Sequence, residues 1–574
     1  MTFRIWAPDA RRVDIAFAGN AHPAGLREHG LFEAHVDEAR PGDLYSVVVD
    51  GKPPLPDPAS RFQPQGVHGP SQVVDPAAFR WTDERWRGVP ASELVIYELH
   101  TGTFTHEGTF AAISRQLRRL ATLGITAIEL MPVADFPGRW NWGYDPAAMF
   151  APSRAYGTPD DLRRLVDAAH AAGIAVLLDV VYNHFGPDGA YAPAISPRFF
   201  NDRHRTPWGP AINLDGEGSR FVRDFLVQNA LAWLGEYHLD GLRLDATFAL
   251  HDDSPTHFLA ELRDAVDTLP GPHRILIAED PRNLAMLARP RAEGGYGLDA
   301  IWADDFHHLL RRLIAGDREG YYRDFGGGTR DLATVVEDGW LFQGQRSEHE
   351  RGPRGTSPAG LPPSAFVFCI QNHDQVGNRP AGDRLHHAIA PEAFRAATAT
   401  LLFAPQTPML FMGQEWAAAS PFQYFTDHEP KLGALVSKGR HDEFADFAGF
   451  SGDVPDPQDP RTFSASHLDH AERERPAHAA VETMTRDLLA VRRLLEGGAR
   501  ASSPAEGALV VERGKHVLLA AFRDGVTLPR PRGATLWNSE REEYLPPEDP
   551  PCVPAEDGDT ITFARAGAVI VETP

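Results

Sequence analysis

Cysteine is almost absent from this chain of 574 residues, in which only Cys369 and Cys552 occur. Cys369 lies in an apolar run at 366–370, which predicts a buried side chain rather than a reactive thiol. Two cysteines this far apart in the sequence do not form a disulfide framework. We therefore favour a reducing compartment.

Long apolar runs are also missing, and no basic segment followed by an apolar one opens the chain. Positive charge is scarce, since Lys+Arg is 56 against 79 for Asp+Glu and the formal net charge is −23. An acidic surface disfavours nucleic acid and anionic membranes as partners. We therefore expect a cytoplasmic protein that binds neither nucleic acid nor a membrane.

Motifs that indicate a cofactor or a nucleophilic serine are absent as well. The sequence has no glycine-rich dinucleotide turn after a strand, no P-loop, no Cys/His set with zinc spacing and no G-x-S-x-G segment. It also shows no internal repeat. We predict neither a cofactor nor metal ligands among the site residues.

The length and the composition indicate a folded protein of several domains. A chain of 574 residues is too long for one compact core, and its 42% apolar and 24% charged residues suit a globular fold. Residues 1–90 and 499–574 consist of short alternating runs separated by Gly, Pro and Asp turns. We interpret each of these two regions as a β-sandwich.

Residues 91–498 instead alternate short apolar runs with amphipathic helices. We predict eight strands, at 94–99, 125–131, 174–181, 237–246, 274–279, 300–302, 365–371 and 409–412. We predict helices at 109–123, 158–172, 221–236 and 479–495, and two long, weakly structured segments at 185–219 and 326–364. This α/β pattern favours a (β/α)8 TIM barrel over an open doubly wound sheet, which usually carries a glycine-rich phosphate turn.

Ionisable residues stand at the ends of several predicted strands. Arg243 and Asp245 share one face of the fourth strand, because side chains on a strand alternate with period two. Glu279 ends the fifth strand and Asp374 follows the seventh. A barrel brings these positions to one mouth, where neighbouring carboxylates cannot all ionise at their ordinary pKa values. The alternative for Arg243 and Asp245 is a structural ion pair.

Three carboxylates beside Arg and His suit the cleavage of a glycosidic bond. In that reaction one carboxylate attacks the sugar while another acts first as acid and then as base. The main rival use of clustered carboxylates is a Mg²⁺ or Ca²⁺ site. Arg243 disfavours a cation beside Asp245, so we favour the hypothesis that the carboxylates cleave a glycosidic bond.

A resemblance to a known family adds residue roles to this reading. The segments that resemble the short sequence regions of the α-amylase superfamily of glycoside hydrolases are 179–184, 241–245, the one that ends at Glu279, and 372–374. The resemblance implies that Asp245 is the nucleophile, that Glu279 is the general acid/base and that Asp374 grips sugar hydroxyls. It also implies that Arg243 keeps Asp245 ionised and oriented.

A narrower resemblance is to trehalose-releasing hydrolases of that superfamily, and it rests on segments 3–8, 141–145, 206–209, 304–308 and 371–379. It implies hydrolysis of the α-1,4 bond next to the terminal trehalose unit of maltooligosyl trehalose, with related α-glucans as further ligands. The implied substrate-binding residues are Tyr144, Asp145, His184, Arg243, Asp304, Asp305, His307, His308, His373, Gln375 and Asn378, with Trp140, Trp142 and Trp208 as further candidates. A structural calcium ion near Asn183 is left open.

The sequence also allows two other functions and other roles for single residues. A glucan-branching transferase could use the same barrel, because water and a sugar hydroxyl compete as acceptor. A non-catalytic glucan-binding protein is the third possibility, and the three intact carboxylates argue against it. For single residues, Trp140 and Trp142 could pack loops, His307 and His308 could be core residues, and Asp179 could be structural.

Overall fold

Eight parallel strands close into a barrel at the centre of the computed structural model, which describes residues 1–445 and 454–574. In chain order we number them strands 1 to 8: Ile96–Leu99, Ala127–Leu130, Ala175–Val180, Gly241–Leu244, Ile275–Glu279, Ala300–Trp302, Phe366–Cys369 and Thr407–Phe411. Strand 8 pairs with strand 1 and closes the ring. The predicted barrel is confirmed, and the open sheet is excluded.

Helices surround the barrel and occupy its loops. Their bounds are Thr101–Phe104, Phe110–Ser114, Leu117–Leu123, Pro159–Ala171, Ala192–Ile195, Ser219–Glu236, Phe258–Val266, Asp305–Ile314, Thr329–Asp338, His373–Gly377, Leu385–Ala388, Pro391–Phe403, Pro430–Ala445, Pro460–Ala465 and Pro476–Arg492. The predicted single helix at 109–123 is wrong, because the chain breaks into two helices around Arg115. The predicted helix at 158–172 is confirmed as Pro159–Ala171, and Thr158 caps its start, since the Thr158 hydroxyl accepts from the Asp161 N–H.

The barrel interior has an apolar floor and a charged upper layer. Apolar side chains from all the strands except strand 4, among them Ile96, Leu177 and Ile277, form the floor. On strand 4 the alternation is as predicted: Leu242 and Leu244 belong to the core shared with the surrounding helices, and Arg243 is buried. The charge on this strand therefore points away from the helices and into the barrel.

A buried carboxylate ties the chain together just before strand 4. The Asp240 carboxylate accepts from Trp86 Nε1 at 2.6 Å, from His170 Nε2 at 2.9 Å and from the Val176 N–H at 2.8 Å. Burial alone lowers the pKa of His170, but Asp240 and Asp83 outweigh it and raise that pKa. Asp240 thus links three separate segments beneath the start of the strand that carries Arg243.

Small antiparallel sheets flank the barrel in sequence on both sides. At the N-terminal side they are formed by Thr2–Trp6, Leu31–His35 and Gly25–Leu26, and by Asn20–Pro23, Val13–Phe17, Leu44–Val49 and Ser71–Gln72. At the C-terminal side they are Arg500–Ser502, Ala508–Arg513, His516–Ala521, Gly567–Glu572 and Ala534–Asn538, and Val526–Pro529, Thr560–Phe563 and Ala555–Asp557. Each pair of sheets encloses its own apolar core. The domain limits 1–90, 91–498 and 499–574 stay an interpretation.

The long loops are more ordered than the sequence indicates. Ala134–Asp135 pairs with Ala148–Pro152 after strand 2. Segment 185–219 contains the hairpin of Phe200–Thr206 and Gly209–Ile212, and segment 326–364 contains a helix and the short ladder of Arg346–Ser347 and Gly352–Pro353. Among the described residues, no helix is both long and apolar enough to cross a bilayer.

We predict that Asp240→Ala destabilises the protein by about 3–5 kcal/mol, because it leaves the buried His170 ring and the N–H donors of Trp86 and Val176 without their acceptor. Urea denaturation followed by tryptophan fluorescence measures the loss. Asp264→Ala serves as the matched control, since that carboxylate is exposed and only pairs with Arg291 on the surface; its change should stay within about 1 kcal/mol. Equal stability of the two variants would contradict the structural role of Asp240.

Candidate active site

Arg243 is the centre of the charged layer at the barrel mouth. Its Nη1 donates to Asp179 Oδ2 at 2.7 Å and to Asp245 Oδ1 at 2.8 Å, and its Nη2 lies 3.7 Å from Glu279 Oε2. The guanidinium also stacks 4.2 Å from the centre of the Trp302 ring. The side chain is fully buried, so it depends on these carboxylates to offset the loss of hydration.

Asp245 is held from two sides. Arg243 donates to one carboxylate oxygen, and Asn183 Nδ2 donates to the other at 2.8 Å. The same amide also donates to the Asp245 backbone carbonyl at 2.9 Å. Donors that face both oxygens fix the direction of this carboxylate.

Glu279 lies beside Asp245 in a different environment. Its Oε2 accepts from the Ala246 N–H at 2.7 Å, and Ala246 adopts a left-handed backbone with φ of 43° that aims this N–H. Burial, with help from the Asp245 charge, raises the pKa of Glu279 to about 8 although Arg243 opposes the shift. Glu279 therefore holds its proton at neutral pH beside the hydrogen-bonded carboxylate of Asp245.

Asp374 is the most exposed of the three predicted carboxylates. It lies in the helix His373–Gly377, which Asn372 caps by accepting from the Gln375 N–H. The Asp374 side chain is 43% exposed, and its Oδ1 accepts from Asn378 Nδ2 at 3.0 Å. It borders a cleft of about 470 Å³ that Tyr321, Gln375 and Asn378 also line. Asp374 can therefore meet a ligand from the open side.

Tyr144 and His373 form a stacked pair beside Arg243. Their ring centres lie 5.1 Å apart at an angle of 21°. The Tyr144 hydroxyl donates to Asp179 Oδ2 at 2.5 Å, and His373 Nε2 lies 2.8 Å from the hydroxyl oxygen. Burial alone lowers the pKa of His373, but Asp374 and Glu98 raise it to about 9. The charged imidazole then donates to Tyr144.

His184 uses both ring nitrogens within the protein. Nδ1 lies 2.5 Å from Asn183 Oδ1, and Nε2 lies 2.9 Å from the Tyr144 carbonyl oxygen. Its ring stacks on Trp208 at 4.9 Å and 12°, and Trp208 is 48% exposed. In this arrangement His184 supports the loop of Tyr144 and the Trp208 ring, while Trp208 offers a flat apolar face to the solvent.

Only part of segment 304–308 is open toward the mouth. Burial raises the pKa of Asp304, at the start of the helix Asp305–Ile314, to about 7. Asp305 is fully buried and accepts from Asn283, from Arg354 and from the Leu341 N–H. It therefore anchors a loop.

The two histidines of this segment are buried. His307 Nδ1 bonds to the Ile370 carbonyl oxygen at 2.8 Å. His308 has no hydrogen-bond partner among the described residues. Its ring centre lies 4.5 Å from that of Tyr321, with the two rings tilted by 41°. Burial lowers the pKa of His307 to about 3 and that of His308 well below its ordinary value. Both are therefore neutral.

The segment around Tyr144 forms a wall behind that ring. Trp140 stacks on Phe463 at 5.2 Å, and Trp142 Nε1 donates to the Gln423 carbonyl oxygen at 2.9 Å. Asp145 accepts from Asn141 Nδ2 at 2.7 Å. These contacts are those expected if the two tryptophans pack loops. They also place Asp145 behind the residues that line the cleft.

Sequence reasoning missed several buried residues beside the charged layer. Glu98 and Glu129 lie in strands 1 and 2 and are buried beside the site. Each is an acidic residue inside a short apolar run, which is a signal that the sequence does carry. The contact of Trp302 with Arg243 had no such signal, because it depends on how the strands meet.

The chain is a glycoside hydrolase of the α-amylase family. Its residues 74–197 match the family described as Alpha amylase, catalytic domain. A solved structure from Salmonella typhimurium with the provisional name alpha-amylase superposes with a TM-score of 0.91 at 38% identity, covering 100% of this chain and 97% of that one.

Two sequence relatives give the family more narrowly. The malto-oligosyltrehalose trehalohydrolase of Deinococcus radiodurans is 47% identical over 499 residues, which cover 86% of this chain and 80% of the relative. The protein of the same name from Arthrobacter ramosus is 43% identical over 552 residues, which cover 94% and 96%. The chain belongs to the malto-oligosyltrehalose trehalohydrolase family.

We predict that Trp208→Ala raises KM for a glucan substrate by about three- to tenfold and leaves kcat within about twofold, because an apolar stacking face is lost while the charged layer stays. Steady-state kinetics measures both constants. Trp81→Ala is the matched control, since Trp81 also stacks on a histidine, His238, at the start of strand 4. An unchanged KM in Trp208→Ala would remove Trp208 from the binding surface.

Proposed function

We propose that this chain hydrolyses the α-1,4 bond next to the terminal trehalose unit of maltooligosyl trehalose, with retention at the anomeric carbon, and releases trehalose. The observation that carries the reaction type is the pairing of Asp245, which accepts from Arg243 at 2.8 Å, with a Glu279 whose pKa is raised to about 8. The names of the relatives support the choice of substrate.

The first step uses the two carboxyls in opposite roles. Asp245 attacks the anomeric carbon while Glu279 gives its proton to the glycosidic oxygen. The carbon–oxygen bond to trehalose breaks, and an ester bond between Asp245 and the sugar forms. Arg243 orients the attacking oxygen, since it donates to Asp245 at 2.8 Å, and Asp374 accepts from sugar hydroxyls on the open side.

The second step reverses the proton transfer. Glu279, now ionised, takes a proton from water, and the hydroxide oxygen attacks the same anomeric carbon. The ester bond to Asp245 breaks, so both carboxyls return to their first state. The shortened maltooligosaccharide leaves with the configuration that it had in the substrate.

We expect the purified protein to convert maltooligosyl trehalose into free trehalose and a shortened maltooligosaccharide, measured by chromatography of the products. Asp245→Ala should lower kcat by roughly 10⁴- to 10⁶-fold, because the nucleophile is lost. Asp524→Asn, a change of an exposed carboxylate in the C-terminal sheets, is the control and should keep full activity.

Absence of trehalose among the products would reject the proposed substrate. New α-1,6 linkages in treated amylose, together with a change in iodine staining, would identify a branching transferase instead. Full activity of Asp245→Ala would reject the nucleophile assignment whatever the product.

We further predict that kcat/KM falls above about pH 8. The protonated form of Glu279 supplies the proton of the first step, and that form disappears as the pH rises through the raised pKa of about 8. A maltooligosyl fluoride removes this requirement, because fluoride leaves without a proton. The decline near pH 8 should therefore vanish with the fluoride, and a decline of equal size with both substrates would contradict the role of Glu279.

A further inference from the structure

Glu98 is a buried acid on strand 1 that the mechanism above does not use. In strand Ile96–Leu99 the alternation of side chains places Glu98 on the same face as Ile96, which belongs to the interior floor of the barrel. The residue is 1% exposed. An enclosed carboxylate is costly unless it is paired or hydrogen-bonded, so its partners indicate its role.

Both carboxylate oxygens of Glu98 bind one residue. Oε1 accepts from His373 Nδ1 at 2.5 Å, and Oε2 accepts from the His373 backbone N–H at 3.0 Å. The side chain and the backbone of His373 are thus fixed together. No rotation of the imidazole ring is possible without breaking the bond to Nδ1.

A continuous chain of hydrogen bonds runs from Glu98 to the predicted nucleophile. His373 Nε2 bonds to the Tyr144 hydroxyl, which donates to Asp179. Arg243 then donates to Asp179 and to Asp245 through the same nitrogen, Nη1. This chain crosses the barrel mouth from strand 1 to strand 4, and positive and negative groups alternate along it when His373 is protonated.

Glu129 on strand 2 lies opposite Glu98 in a different environment. The two residues face each other in register across strands 1 and 2. Glu129 is 1% exposed, and neither of its carboxyl oxygens has a hydrogen-bond partner among the described residues. Burial, the Glu98 charge and Asp179 raise the pKa of Glu129 well above its ordinary value. Glu129 is therefore neutral, and Glu98 is the member of the pair that is hydrogen-bonded to His373.

We propose that Glu98 is a positioning residue that keeps His373 protonated and fixes its ring, and that this ring holds Tyr144, Asp179 and Arg243 in the arrangement that aims Asp245. The inference rests on the proposed retaining mechanism. The titratable and charged groups that face His373 are Glu98, Glu129, Asp179 and Arg243 on strands 1 to 4, and His100, Tyr144 and Asp374 on the loops.

The test is Glu98→Gln, assayed with a maltooligosyl fluoride so that the proton of Glu279 plays no part. The amide keeps the size of the side chain, but it removes the negative charge and can accept only through one oxygen. We expect kcat/KM to fall by about 10- to 100-fold, as for the loss of a charged hydrogen bond. We also expect its alkaline decline to move at least about one pH unit lower.

The sign of the shift follows from the raised pKa of His373. In the wild type the imidazolium persists up to a pH of about 9, and its contribution is lost above that value. Without Glu98 the proton leaves at lower pH, so the decline begins earlier. A fall in kcat/KM with the decline unmoved, or no change in either, would overturn the proposal.

Glu129→Gln is the matched control. Glu129 lies opposite Glu98 but outside the chain of hydrogen bonds that leads to Asp245, and the substitution replaces a neutral acid by a neutral amide. We therefore expect kcat/KM within about threefold of the wild type and an alkaline decline at the same pH. Glu98→Asp keeps the charge on a shorter stem. If Glu98→Gln does not fold, the proposal requires that Glu98→Asp retain the alkaline decline of the wild type.

NMR of histidine labelled with ¹⁵N provides a readout independent of activity, with the His373 signal identified by its loss in His373→Asn. Nitrogen shifts of an imidazolium at pH 7.5 are expected in the wild type, and a neutral ring there overturns the inference. If the chain cleaves maltooligosaccharides without releasing trehalose, the proposed substrate fails, but the comparison of the Glu98 variants remains valid on the fluoride.

Discussion

A guanidinium enclosed in the barrel is the constraint on which the site depends. Arg243 has no access to solvent, and a buried cation is tolerated only with anions and good hydrogen bonds around it. Asp179 and Asp245 supply the anions on one side, while the Trp302 ring covers the face of the guanidinium at 4.2 Å. The buried guanidinium therefore holds the Asp245 carboxylate in place.

The same guanidinium lies beside both carboxyls of the proposed reaction, at unequal distances. Asp245 receives direct donors on both oxygens, whereas Glu279 receives the Ala246 N–H and lies 3.7 Å from Arg243. Strands 4 and 5 are neighbours in parallel register, so a shared backbone geometry brings both side chains to one mouth. With fewer donors around it, Glu279 is left with a pKa that burial raises to about 8.

The sequence predicts this part of the fold well because periodic patterns determine which face a residue occupies. The alternation in strand 4 places Leu242 and Leu244 against the helices and Arg243 in the interior, as the structure confirms. Patterns do not show which loop a side chain will meet. That both nitrogens of His184 bind protein atoms, and that Asp305 anchors Arg354, depends on the packing of residues far apart in the chain.

The assignments of residues to catalytic roles stay predictions, and the charged layer shows why they must be tested together. Two sets of ion pairs lie side by side across the mouth: His373 pairs with Glu98, and Arg243 pairs with Asp179 and with Asp245. Removing one charge changes the preferred protonation of the next, so effects of substitutions along this chain will not add. The reactivity that we propose for Asp245 and Glu279 therefore depends on the protonation of neighbouring groups on several strands of the barrel.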